Sequence, residues 1–329
     1  MARVSNAVFY KNMFRAVPTQ PFWPSLQSHL QPYIPLLDLQ KIIMEYVRNR
    51  FQGQTNSTLH VGKASRYMAM TTVGDRLFVA DGHNHINAYE YMSTEEWQRT
   101  GFWLSSSMVT QLGSYGQHLV SSDYNGEVFV WNPSDGSLVH KFIGHTARVM
   151  AFAQVNGFLA TCSYDKTVRL WTLSQTSEVG QIMFRSSLPT CMVAWDGKLV
   201  VGDSRADVQI FDCEEGVWTC SRTFGGFSGQ LTSLVACPYR LLCIVNGRVY
   251  SLHPNDTSVR SLIYTAPVEN QVCAVDGLIL VGYNNRVALH ASDGPLIRHV
   301  MVRQSFRGMV AISDRLAVAT SDGFLTFFD

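Results

Sequence analysis

Seven leucines set the strongest limit on how this chain of 329 residues can fold. Leu77, Leu119, Leu159, Leu199, Leu241, Leu278 and Leu316 each open a short apolar run, and they follow one another at intervals of 42, 40, 40, 42, 37 and 38 residues. Behind each leucine comes a polar or glycine-containing turn, then a second run that alternates apolar and polar: LFVADGHNHINAY, LVSSDYNGEVFVW, LATCSYDKTVRLW, LVVGDSRADVQIF, LLCIVNGRVYSLH, LILVGYNNRVALH and LAVATSDGFLTFF. The ninth position after the leucine is Ile86, Val128, Val168, Val208, Val287 or Leu325, and the twelfth is usually aromatic. Alternation of period two is a strand signal. A repeat near forty residues marks one supersecondary unit that must stack on its neighbours to bury its faces. Asn156-Gly157, Asp196-Gly197 and Asp276-Gly277 stand just ahead of three of the leucines, where two-residue hairpin turns need positive φ angles. Further turn material (PSDGS, CEEGV, ASDGP) comes after the second strand, so each unit is expected to be an up-and-down set of four strands.

The third unit is the most complete. GHTARVMAFAQVNGFLATCSYDKTVRLW, residues 144–171, combines a Gly-His pair, an Asp in a tight turn and a terminal Trp. In these features the chain resembles the WD-repeat family of β-propellers over about residues 58–329, although only this unit matches the family pattern well. The resemblance implies an all-β fold, a seven-bladed β-propeller. It also implies a structural hydrogen-bonded group of His145, Thr161, Asp165 and Trp171, with Ser163 the less favoured choice for the hydroxyl. Each satisfied bond in such a group contributes about 1 kcal/mol, and this structural role is preferred to a catalytic His-Asp-Ser reading of the same residues. His145 and Trp171 lack full counterparts in most other units, whose blades are expected to rest on packing alone.

The last unit stops after FLTFF, one strand short. VGKASRYMAM (61–70) parallels IGHTARVMAF (143–152), with Gly62, Arg66, Met68 and Ala69 matching Gly144, Arg148, Met150 and Ala151. On that alignment residues 58–61 correspond to an outer strand, and the expectation is that they complete the last blade and close the ring. Closure leaves no interior sheet edge to template aggregation.

Residues 1–57 lie outside the repeat. Pro18, Pro21, Pro24, Pro32 and Pro35 forbid a long helix and suggest an extended arm. Leu36, Leu39, Ile42, Ile43, Tyr46 and Val47 then fall at helical spacing, which predicts one amphipathic α-helix over 36–50. Its apolar stripe needs cover, either from the propeller or from a partner helix. The stretch from Pro35 to Val47 resembles the opening of an F-box, which implies adaptor binding in a cullin-type ubiquitin ligase; the residues that remain before the first strand leave no room for the further helices of that module.

Twenty-six basic residues against 25 acidic ones leave a net charge of +1, no field for holding nucleic acid or an anionic membrane. No apolar run approaches the ~18 residues of a membrane span, and no signal-peptide core is present. The seven cysteines include no CxxC pair and read as reduced, buried thiols of an intracellular protein. A cytoplasmic location is expected, with the nucleus as an alternative. The cationic bias of the first 37 residues leaves mitochondrial import as another.

Phosphate-loop, HExxH, GxSxG and GxGxxG patterns are all missing. GDSRA (202–206) is one residue short of a nucleophile elbow and sits in a strand-to-strand turn. GGFSG (225–229) precedes no helix that could present its N-terminus to a phosphate. His83 and His85 could share a metal, but no third ligand can be assigned and a solvated turn is favoured. No enzyme activity, cofactor, metal or small-molecule substrate is expected.

Turns after the leucines and segments before each first strand should emerge on one face, carrying Arg66, His83, Tyr124, Arg148, Tyr164, Arg205 and Tyr283. Tyr and Arg dominate interface hot spots. The expected function is a scaffold that assembles other proteins. The alternatives are a ubiquitin-ligase substrate receptor and a structural subunit of an RNA-protein particle.

Overall fold

The computed structural model describes residues 55–60, 69–81, 84–92, 96–175, 177–214, 216–237, 240–253, 256–265, 271–275, 278–291, 296–302, 304–312, 315–321 and 324–328. The chain divides into two units, Met1–Arg50 and Phe51–Asp329. The first unit, with the expected 36–50 helix and its stripe of Leu36, Leu39, Ile42, Ile43, Tyr46 and Val47, lies outside the described residues.

Among its described residues the second unit is all β, with seven antiparallel sheets of four strands each. No helix among the described residues is long and apolar enough to cross a membrane. Blade three shows the plan. Val149–Val155 pairs with Phe158–Ser163, that strand with Thr167–Trp171, and that one with Gly180–Met183. Blades one, two, four, five, six and seven begin at Met70–Val73, Val109–Tyr115, Pro189–Trp195, Leu231–Cys237, Gln271–Val275 and Phe306–Ile312. These first strands lie against one another all the way round, blade seven against blade one included. All seven repeat leucines fall in second strands.

Blade seven takes its outer strand from the start of the propeller unit. Thr55–His60 pairs antiparallel with Phe324–Phe328, with Thr58 opposite Thr326, Leu59 opposite Leu325 and His60 opposite Phe324. The strand begins three residues ahead of the Thr58 expected from sequence.

Hairpin turns arise from local chemistry. Asn156 (φ 48°) and Gly157 (φ 81°) both take the left-handed conformation, as do Asp196 (φ 49°) and Gly197 (φ 71°), the pair of angles a two-residue turn between twisted strands requires. These turns also bond between blades. The Tyr115 hydroxyl donates to the Gly157 carbonyl at 2.6 Å, and Asn156 Nδ2 donates to the Gly197 carbonyl at 2.9 Å. Asp276-Gly277 lies outside the described residues.

The core lies between blades. Leu159 and Trp171 turn to blade two, packing with Val120, Val130 and Phe142. Their strand neighbours Ala160, Cys162 and Leu170 turn the other way, against Leu199, Val201 and Phe211 of blade four. The same division recurs at the closure, where Leu77 and Val79 of blade one pack on Ala317, Leu325 and Phe327 of blade seven. Second and third strands are therefore buried on both faces, and burying each Leu or Val contributes about 1.5–3 kcal/mol. Gly202 marks one of the tightest contacts, since a Cβ there would collide with Leu231 of the next blade.

Cys162, Cys191 and Cys243 are buried free thiols, Cys213 is half-buried and Cys220 is exposed. Burial pushes the Cys162 thiol well above its ordinary range and Cys191 up to about 12. The exposure of Cys220 corrects the expectation that all seven thiols are buried: it lies on the outer strand Val217–Phe224, which faces solvent over most of its length.

Candidate interaction face

The Gly-His pair of residues 144 and 145 stands where blade two's outer strand ends and the chain crosses to blade three. His145 is buried, with its ring between two partners. Nδ1 lies 2.7 Å from Asp165 Oδ2, and Nε2 lies 2.7 Å from Thr161 Oγ1. Trp171 Nε1 donates to the same Thr161 hydroxyl at 2.8 Å. The pattern assigns Nδ1–H as donor to the carboxylate and Nε2 as acceptor from Thr161, so protons point in one direction from Trp171 through Thr161 and His145 to Asp165. Asp165 also accepts from the Thr146 and Thr167 amides, at 3.1 and 2.9 Å, and from the Thr167 hydroxyl at 2.6 Å. Burial opposes ionisation of Asp165, but the hydrogen bonds led by His145 outweigh it and hold the carboxyl well below the usual carboxylate range. Ser163 takes a different part: its hydroxyl accepts the Asp165 amide at 3.1 Å and donates to the Ala147 carbonyl at 2.8 Å. The chain of bonds has no exposed nucleophile, and what it does is pin the crossing segment to the turn.

Blades two and four do not rest on packing alone, which corrects the expectation from sequence. Each carries a buried Asp four positions after its leucine. Asp123 accepts the Asn125 and Glu127 amides, both at 3.0 Å, and Asp203 accepts those of Arg205 and Asp207, both at 3.0 Å. The second carboxylate oxygen takes a serine hydroxyl from the crossing segment, Ser106 at 3.2 Å and Ser187 at 2.7 Å. Trp131 of blade two donates to Ser121 at 2.8 Å, as Trp171 does to Thr161. Reading the group as His-Thr-Asp-Trp hid these versions, because the carboxylate sits two positions earlier and serine replaces histidine. Asp at the end of the second strand, directly after SS in blade two and after VG in blade four, was the available signal.

The same end of the ring is tied by a repeated main-chain bond. The amide of Tyr124 donates to Met108 O (3.0 Å), Tyr164 to Arg148 O (3.1 Å), Ser204 to Leu188 O (2.8 Å), Asn246 to Gln230 O (3.1 Å) and Ser321 to Ser305 O (2.8 Å). Turns and crossing segments therefore share one face. Tyr124 is 57% exposed and Tyr164 45%; Arg205 is exposed and Arg148 half-buried. Tyr283 is a correction. It is 7% exposed, packs with Ile279, Val281 and Ala288, and meets the His299 ring. Its strand runs on through Tyr283 to pair with Arg286, which leaves only Asn284-Asn285 for the turn and draws the ring into the core.

Arg66 and His83 lie outside the described residues. His85 Nδ1 sits 2.6 Å from Asp81 Oδ2, and among the described residues no group of His, Cys, Asp or Glu could hold a metal ion. Ser204 of GDSRA accepts the Leu188 amide at 3.0 Å, a turn contact. GGFSG leads into blade five, where Asn246 holds Ser228 and Gln230. Thr146, Lys166 and Arg185 are also exposed on this face and were missed, although Lys166 stands in the turn already singled out.

The family model described as "WD domain, G-beta repeat" matches residues 136–172, which runs from the turn before blade two's outer strand through the third strand of blade three. The chain is 32% identical over 90 residues to "Periodic tryptophan protein 2 homolog" of Dictyostelium discoideum, covering 26% of this chain and 10% of that protein. It is 26% identical over 140 residues to "Shk1 kinase-binding protein 15" of Schizosaccharomyces pombe, 40% of each. It is also 26% identical over 145 residues to "p21-activated protein kinase-interacting protein 1-like" of Xenopus laevis, 44% of this chain and 39% of that one. The chain thus spans between a tenth and two fifths of the length of these relatives. A chain in "Crystal Structure of Mitotic Checkpoint Complex" superimposes with a TM-score of 0.69 at 16% identity, covering 84% of this chain and 92% of that one, a likeness of fold. Residues 136–172 match a WD repeat, and the other blades share the strand order of the blade they enter, so the chain is a seven-bladed β-propeller that carries a WD repeat.

Proposed function

We propose that the propeller is a non-catalytic platform that binds other proteins through the face built from the turns of blades two to four. One observation carries this reading: Tyr124 and Tyr164 occupy the same turn position in neighbouring blades, about half exposed, each fixed by the same main-chain bond. A rigid, exposed aromatic loses little entropy on binding and supplies large contact area. Two relatives are named for kinase binding or interaction, which supports a protein partner without identifying it. The test is capture with full-length protein as bait. The double variant Y124A/Y164A should lose bound chains while its melting temperature stays near wild type; unchanged capture removes the proposal.

The apolar spacing of residues 36–47 favours a second reading, in which they grip an adaptor of a ubiquitin ligase. A variant lacking residues 1–50 should then lose that adaptor and keep the chains held by the tyrosine face. The buried thiols favour a reducing compartment and a cytoplasmic setting.

A further inference from the structure

The charges on this face are sorted by depth. Tyr124, Tyr164 and Arg205 stand on an arc that runs unbroken from blade two to blade four. A Cβ on Gly126, in the Tyr124 turn, would lie 2.5 Å from the Ala147 carbonyl, so that turn packs under the segment crossing to blade three. The Arg148 carbonyl binds the Tyr164 amide, the Lys166 carbonyl accepts the Phe184 amide at 2.8 Å, and Leu188 exchanges bonds with Ser204. Arg185 is thereby held between the Lys166 and Arg205 turns.

Every acid along this arc, among the described residues, already has a partner or a close neighbour in the ring. Asp123 and Asp203 are buried under backbone amides and serine hydroxyls, and Asp165 is occupied by His145, Thr146 and Thr167. Glu127 pairs with Lys141 at 2.7 Å, and Asp207 lies against Gly225. Lys166, Arg185 and Arg205 are exposed and form no ion pair with a described residue. Near-zero net charge therefore hides a local cationic surface that begins beside Tyr164 and runs on to blade four, with Tyr124 in the turn before it.

Resting on the platform reading, we infer that the partner presents an acidic segment, a short run rich in Asp and Glu, to Lys166, Arg185 and Arg205 beside Tyr164. Arginine's planar fork matches a carboxylate with two parallel bonds, and a cationic arc steers an acidic chain onto the face. RNA is the rival occupant, disfavoured because three cations on a neutral chain offer few phosphate contacts.

Full-length protein titrated with a fluorescein-labelled hexaglutamate peptide, followed by anisotropy, tests the inference. Binding should weaken as salt rises, R185E should lower affinity about fivefold, and K166E/R185E/R205E should lose at least about thirtyfold. R99E, an equal charge change on the outer strand of blade one, should stay within about twofold. Equal binding by wild type and the triple variant, an R99E loss as large as that of R185E, or preference for a labelled hexauridylate over hexaglutamate would each overturn it. The two readings fail separately. A triple variant that keeps every chain lost by Y124A/Y164A removes the acidic partner and leaves the platform; loss of the same chains from both variants supports it.

Discussion

Blades two and three face each other across one hydrophobic seam yet solve the same problem with different chemistry. In blade three, His145 carries the bond chain from Thr161 to Asp165, and its imidazole with three other donors favours the carboxylate. In blade two a serine hydroxyl takes the place of the imidazole at Asp123, which is more deeply buried. The shifts differ in sign. Burial raises Asp123 above its ordinary value despite its backbone bonds, whereas the hydrogen bonds to Asp165 outweigh burial and lower it. Depth alone does not decide the state of a buried carboxylate; the donors aimed at it do.

Both blades depend on a closed ring, so the largest effect should come from opening it. Removing residues 1–60 takes away the strand beside Phe324–Phe328, whereas removing 1–50 stops at the boundary between the two units. The shorter deletion should melt near wild type and the longer one lower by about 10 °C or more, read by calorimetry. Similar melting of the two would mean that the closing strand contributes little.

Next come the carboxylates themselves. Asp165→Ala strands His145 and three further donors and should cost about 3 kcal/mol, while Asp123→Ala, which also removes an unfavourable buried charge, should cost about 1–2 kcal/mol. Urea unfolding measures both, and reversal of that order would break the contrast between the blades. Trp171→Phe and Trp131→Phe should obey the same ranking at smaller size. Each removes an indole N–H bond to a hydroxyl, but Trp171 is fully buried and Trp131 retains some exposure, so losses of about 2 and 1 kcal/mol are expected.

The smallest effect, and the sharpest in sign, is with pH. Asp165 has a folded-state pKa below its unfolded value near 4, so its contribution is complete above about pH 4 and fades as pH falls through the folded value. The advantage of wild type over Asp165→Asn should shrink on acidification. Asp123 is raised, so its charge costs stability above the folded pKa, and that cost disappears below about pH 4. Wild type should therefore gain on Asp123→Asn as pH falls, and parallel curves for the two variants would refute the assignment.

Much of this was legible in the primary structure. The leucine period placed all seven second strands, and the likeness of residues 61–70 to 143–152 located the closing strand. His145, Thr161, Asp165 and Trp171 were readable together because all four side chains lie within one repeat. The groups around Asp123 and Asp203 were not, since a two-residue shift along a turn preserves the bonding while altering the pattern. Tyr283 misled for a related reason: its position after Leu278 matches Tyr124 and Tyr164, but the strand beneath it continues one residue further and turns its ring inward.

Period, turn residues and alternation are local properties, and a chain with this repeat had no other way to bury its strands than to stack them in a ring. Which carboxylates are ionised with ease, which tyrosine faces solvent and which cations gather on one arc depend on groups brought together from different blades. Those were decided by the tertiary structure, because burial and hydrogen-bond direction exist only once neighbouring sheets have packed.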